Sequence, residues 1–182
     1  MARICQSIAA HAIDKGIEVV AGPAIGAVAL SFLIAYFMNL ELDGKGDLVV
    51  PVYSTPGVDN TMEFKRGHDK FIPGKKLLVA EDILSSGGSA KRVVRAARKL
   101  GGHVVGVTAM CNRGGVTTDD VGHPPWLWSQ VNINMPMTLA DECEDCKNRI
   151  PINQSVGKGT DYLKEKAQGT DDFAAWYRSQ LH

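Results

Sequence analysis

Apolar runs of about five residues recur along this chain, each followed by a segment long enough for a helix, and this alternation constrains the fold most. Residues 17–21, 48–53, 76–80 and 104–110 read as strands. Residues 3–15, 24–39 and 89–100 read as helices. Gly16 stands where a helix C-terminal glycine belongs, and Gly101 and Gly102 close the third helix. Strands that alternate with helices make βαβ units, so the expected fold is α/β, a mainly parallel sheet flanked by helices on both faces. Residues 61–64 are expected as an edge strand before a charged loop at 65–76.

The chain is less regular after Asn112. A strand is expected at 130–134, and a closing amphipathic helix at 170–181, with Phe173, Trp176, Tyr177 and Leu181 as its apolar stripe. With 182 residues and 45% hydrophobic content, the expectation is one domain over residues 1–182, irregular from about 140 to 182. Residues 19–40 carry no charge, a run about long enough to span a bilayer. Gly22 and Pro23 break that run, which favours a short buried strand and then a helix packed between a sheet and a partner surface.

Lys plus Arg equals Asp plus Glu at 20 each, so no net field draws the chain toward nucleic acid or an anionic membrane. Four cysteines without a secretory leader point to the reducing cytoplasm. Cys143 and Cys146 have a metal-ligand spacing but lack a second pair, so turn packing is the better reading and no metal ligands are assigned.

In an open α/β sheet, ligands bind beyond the carboxyl ends of the strands. Residues 22–26, 81–89 and 112–115 all fall on that edge. Glu81 and Asp82 follow the apolar run, and Ser85, Ser86, Gly87, Gly88 and Ser89 then open a helix. Free backbone N–H groups, the helix dipole and the serine hydroxyls suit that loop to a phosphate. It lacks the Lys-Ser/Thr end of a Walker loop and the spaced glycines of a dinucleotide fingerprint. Two carboxylates would repel a phosphate, so they must serve another part of the same ligand. Vicinal hydroxyls of a sugar fit that role.

The stretch LLVAEDILSSGGS, residues 77–89, resembles the signature of the type I phosphoribosyltransferases at all thirteen positions. The resemblance implies that Glu81 and Asp82 hold the ribose hydroxyls of phosphoribosyl pyrophosphate and that residues 85–89 bind its 5-phosphate. VVAGPAIGAVAL is similar to the Gly-Pro loop of the orotate branch, which would turn Ala24, Ile25 and Gly26 toward pyrophosphate. CNRGG is similar to that branch's Asp-Arg turn and would give Arg113 a place at the pyrimidine carboxylate. CEDCKNRIPIN looks like the Cys-x-x-Cys ending of bacterial members.

The departures are an N-terminal hood that is reduced or missing, a short segment EFKRGHDKFIPGKK in place of a long mobile loop, and Asn112 where the branch has Asp. Arg66 matches that loop's first arginine, with His68 and Lys70 as substitutes for its other catalytic cations. The implied reaction is phosphoribosyl transfer to a nitrogen base, orotate first, in pyrimidine nucleotide biosynthesis. Mg²⁺ would be held mainly by substrate and water, and the family implies a homodimer. A purine acceptor, or a regulatory protein that binds the donor without transfer, is the alternative.

Overall fold

The computed structural model describes residues 1–44, 46–135, 138, 142–155, 157, 159–170 and 172–181, apart from the side chains of residues 172 and 173. They form two compact units, Met1–Met137 and Thr138–His182.

The first unit is built from α1 (Ala2–Ala12), β1 (Val19–Pro23), α2 (Val28–Leu42), β2 (Val50–Pro56), β3 (Met62–Glu63), β4 (Lys76–Leu84), α3 (Gly88–Lys99), β5 (His103–Asn112) and β6 (Leu127–Asn132). Its sheet has the order β3-β2-β1-β4-β5-β6. All pairings are parallel except β2 with β3, which is antiparallel at the edge.

Burial on both faces explains why β1 reads Val-Val-Ala-Gly-Pro with no polar alternation. One face carries α1 and α2, through Ile8, Ala12, Leu30, Ile34 and Met38 packed on Val20, Leu78 and Ala80. The other carries α3, through Ala90, Val93, Val94 and Ala97 packed on Val79, Val107 and Ala109. The α3 stripe recurs at helical spacing, so its basic residues are left on the outer face.

Several boundaries differ from the sequence reading. β4 runs to Leu84 rather than ending at Ala80, because pairing continues through Glu81↔Ala109 and Leu84↔Asn112. A ladder of backbone hydrogen bonds does not stop where side chains become polar, so the acidic pair lies inside the strand. β1 begins at Val19 and includes Gly22 and Pro23, since pairing with β4 has ended by Ala21 and Pro23 needs a partner on one side only.

α2 starts at Val28 rather than residue 24, because Ala24 N–H donates to Ser54 O at 2.7 Å and continues the strand geometry. β6 lies at Leu127–Asn132, upstream of the expected 130–134. No helix among the described residues is long and apolar enough to cross a membrane.

Among the described residues, the second unit holds three short helices, α4 (Glu144–Lys147), α5 (Gly159–Lys166) and α6 (Asp172–Ser179). The sequence reading anticipated only the last, and its Asp171 and the Phe173 side chain lie outside the described residues. Leu163 and Tyr177 are buried, and the Tyr162 and Tyr177 rings meet edge to face at 5.9 Å.

Candidate functional site

The carboxyl edge of the sheet gathers the segments expected to converge there. β4 delivers Glu81 and Asp82, the chain turns at residues 85–87, and α3 begins at Gly88. Gly87 has φ 75°, a left-handed conformation that suits glycine, and a Cβ on it would meet Val121 Cγ1 at 3.0 Å and Val116 Cγ1 at 3.1 Å. The turn is thereby seated against a packed wall. Glu81, Ile83 and residues 84–90 enclose a cavity of about 140 Å³ at the start of α3.

Glu81 is 6% exposed, and its Oε2 has no hydrogen-bond partner among the described residues. Burial, then a hydrogen bond that the protonated Glu81 donates to the neighbouring Asp82 carboxylate and that group's negative charge, push its pKa up to about 8. At neutral pH Glu81 is therefore a neutral acid whose proton faces Asp82 and whose Oε2 has no partner among the described residues. Asp82 is half-buried, and its Oδ1 accepts the Ile83 N–H at 2.7 Å. A Cβ on Gly26 would overlap Asp82 Oδ2, so the glycine is what lets the 24–27 turn close on the acidic pair. Ala24 is half-buried, while Ile25 and Gly26 are exposed.

The turn after β5 meets the same loop from the other side. Arg113 Nε donates to Ser85 Oγ at 2.8 Å, and Arg113 N–H donates to Leu84 O at 2.9 Å. A Cβ on Gly114 would overlap the Ser85 carbonyl, so only glycine permits this approach. Asn112 is buried and closes the turn with both ends of its amide, Nδ2 to Val116 O at 2.8 Å and Oδ1 from Val116 N–H at 2.9 Å. An ionised Asp there could not make the first of these bonds.

The structure thus brings together Glu81, Asp82, Ser85, Gly26 and Arg113, with Ser86, Gly87, Gly88 and Ser89 in the connecting loop. It does not join Arg66, His68 or Lys70 to them. Among the described residues no hydrogen bond or ion pair links these three to the acidic pair or to residues 85–89. His68 instead packs its ring against Tyr53 at 4.4 Å between centroids with the planes tilted by 56°, and Arg66 is exposed at φ 59°.

Two contributors were given no role by the sequence reading. Gly114 stands inside the CNRGG turn, but its approach to the Ser85 carbonyl depends on register and left no signal of its own. Arg92 holds Ser89 Oγ at 3.2 Å, but in the sequence it is one cation among several on α3.

An orotate phosphoribosyltransferase of Caldicellulosiruptor bescii is 32% identical over 149 residues, covering 82% of this chain and 71% of the relative. The chain belongs to the type I phosphoribosyltransferase family.

The orotate phosphoribosyltransferase of Thermotoga maritima is also similar to this phosphoribosyltransferase, at 29% identity over 79% of the chain and 69% of the relative. Among solved structures, orotate phosphoribosyltransferase of Mycobacterium tuberculosis H37Rv in complex with 5-phospho-alpha-D-ribosyl 1-diphosphate superposes with a TM-score of 0.55. Its identity is 22%, over 72% of each chain. Adenine phosphoribosyltransferase of Rhodothermus marinus superposes with a TM-score of 0.52 at 18% identity, over 72% of this chain and 78% of that one. Both likenesses show the phosphoribosyltransferase fold. No family model matches the chain.

Proposed function

We propose that this phosphoribosyltransferase moves the phosphoribosyl group of phosphoribosyl pyrophosphate onto orotate, releasing pyrophosphate and forming orotidine monophosphate. The observation that carries the reading is the buried Glu81 acid beside Asp82, its Oε2 without a partner among the described residues, at the mouth of the 85–89 loop. A ribose with its 5-phosphate matches that combination. The preference for orotate rests on the relative that is 32% identical and on Arg113, whose Nε donates to Ser85 Oγ in the loop.

In this reading Ser85, Ser86, Gly87, Gly88 and Ser89 hold the 5-phosphate through backbone N–H groups and hydroxyls at the start of α3. Glu81 offers a ribose hydroxyl its Oε2 as an acceptor. Asp82 sets negative charge beside the anomeric carbon, where positive charge develops as the bond to pyrophosphate breaks. Ala24, Ile25 and Gly26 place backbone groups at the pyrophosphate. Arg66, His68 and Lys70 cover the leaving group and exclude water once the 65–76 segment moves toward it.

The half-buried Asp82 beside the neutral Glu81 acid fits a cation held mostly by substrate and water. Mg²⁺ bound there would neutralise the leaving pyrophosphate. The outward side chains of Phe32, Tyr36 and Leu40 on α2 support a homodimer built on that helix.

A second reading, donor binding without transfer, draws on the separation of Arg66, His68 and Lys70 from the loop. Both readings are tested by mixing the full chain with Mg²⁺, donor and a panel of orotate, uracil and purine bases while following pyrophosphate release. Release with orotate alone is the expected result. Donor binding without release for any base would establish the second reading, and release only with a purine would reassign the acceptor.

A further inference from the structure

A second, larger groove of about 670 Å³ is lined by α3 and residues 59–64, and it shares only Gly88 with the lining of the Glu81 cavity. Its volume suits a nucleotide-sized ligand. Lys91, Arg95 and Lys99 line it at intervals of four residues and so fall in one row on the helix face. Eight residues of helix rise about 12 Å, which matches a chain of phosphates with its sugar better than a single phosphate.

α3 contains no acidic residue, and none of these three cations forms an ion pair among the described residues. Arg92, which also lines the groove, is occupied by Ser89 Oγ. The opposite wall presents Met62 and the buried Phe64, with Leu100 closing the end. Of the two carboxylates on that wall, Glu63 is neutralised by Lys65 Nζ at 2.8 Å, which leaves the field in the groove positive.

We propose that this groove binds a nucleoside triphosphate, its phosphates on Lys91, Arg95 and Lys99 and its base on the apolar wall of Met62, Phe64 and Leu100. Phosphate oxygens satisfy the cations by charge-assisted hydrogen bonds, and Arg95 can engage two oxygens at once. A flat base covers the parts of Met62 and Leu100 that the core leaves exposed. The site stands apart from the acidic pair, so its existence does not depend on the phosphoribosyl transfer reading.

Calorimetric titration of the full chain with ATP and with UTP, without donor or base, tests the proposal. Arg95→Ala/Lys99→Ala is expected to weaken nucleotide binding at least tenfold. The thermal midpoint should stay unchanged, because both side chains are exposed. Unchanged affinity in that variant, or no binding of either nucleotide, would overturn the proposal. Tripolyphosphate binding as tightly as the nucleotides would remove the base from it. Displacement by phosphoribosyl pyrophosphate would put the nucleotide in the 85–89 loop instead. None of these outcomes alters the base-panel result, so the two readings fail separately.

Discussion

The 85–89 loop and the 65–76 segment are both short polar connections flanking β4, yet the protein fixes them in opposite ways. The loop is held from three sides: Gly87 against Val116 and Val121, Gly114 against the Ser85 carbonyl, and Arg113 on the Ser85 hydroxyl. The segment is held by its own chain, in a short 3-10 turn at His68–Phe71. Buried Ile72 and an ion pair between Lys75 and Glu18 at 2.8 Å fix its far end. Arg66 and Lys70 are exposed, Lys65 pairs with Glu63, and His68 packs against Tyr53. The part of the site that would grip a donor is thus continuous with the core, whereas the part that would cover it is not. Loop-directed changes should therefore cost both folding and donor binding, and segment-directed changes should cost neither.

Glu81 gives the largest expected effect. Its pKa is about 8 in the folded chain against an ordinary glutamate value of 4.5, so folding takes up a proton between those pH values. The stability that goes with protonated Glu81 is complete below about pH 4.5 and is lost as pH rises through about 8. Glu81→Gln, which cannot ionise, should remove this slope and stabilise the protein by on the order of 4 kcal/mol above pH 8. Urea unfolding at a series of pH values checks it. A slope that survives in the variant would mean that burial of the acidic pair is not what the loop is built around. Gly114→Ala comes next. It forces two backbones apart, with a loss of about 2–3 kcal/mol by the same unfolding measurement, and donor affinity should fall with it.

The difference between the two regions also explains what could be read in advance. The sheet was legible because parallel strands buried on both faces must be continuously apolar, as Val19–Pro23 and residues 77–80 are. The loop was legible because Gly and Ser at a helix start have few other uses. Strand ends were not, since β4 continues through charged residues on the strength of β5 beside it. Nor could the sequence show that Arg113 meets Ser85 across 28 positions, or that Asn112 is needed as an amide. Those contacts depend on register. Residues 65–76 were assigned cover from their position, their cations and their likeness to a longer mobile loop, and Arg66, His68 and Lys70 make no bond to the 85–89 loop among the described residues.

Arg113→Ala leaves Ser85 without its partner and should lower donor affinity about tenfold, equivalent to about 1.4 kcal/mol, with Arg113→Lys failing to restore it. A lysine has no Nε–H in the guanidinium plane to replace the lost donor. Fluorescence or calorimetric titration with phosphoribosyl pyrophosphate measures both.

The smallest effect is expected for His68→Ala. The side chain gives up only its ring contact with Tyr53, about 0.5 kcal/mol of stability, and no bond to the loop. Donor affinity should then stay within about twofold, while pyrophosphate release falls if the segment closes over bound donor as proposed. The two readouts separate here because ground-state binding uses the loop and turnover uses the cover. A drop in donor affinity as large as that of Arg113→Ala would break the comparison, since it would show that His68 already reaches the donor in the ground state. Unchanged affinity with unchanged release would sharpen it in the other direction: His68 would be a packing residue on Tyr53, and the cover would have to come from Arg66 and Lys70.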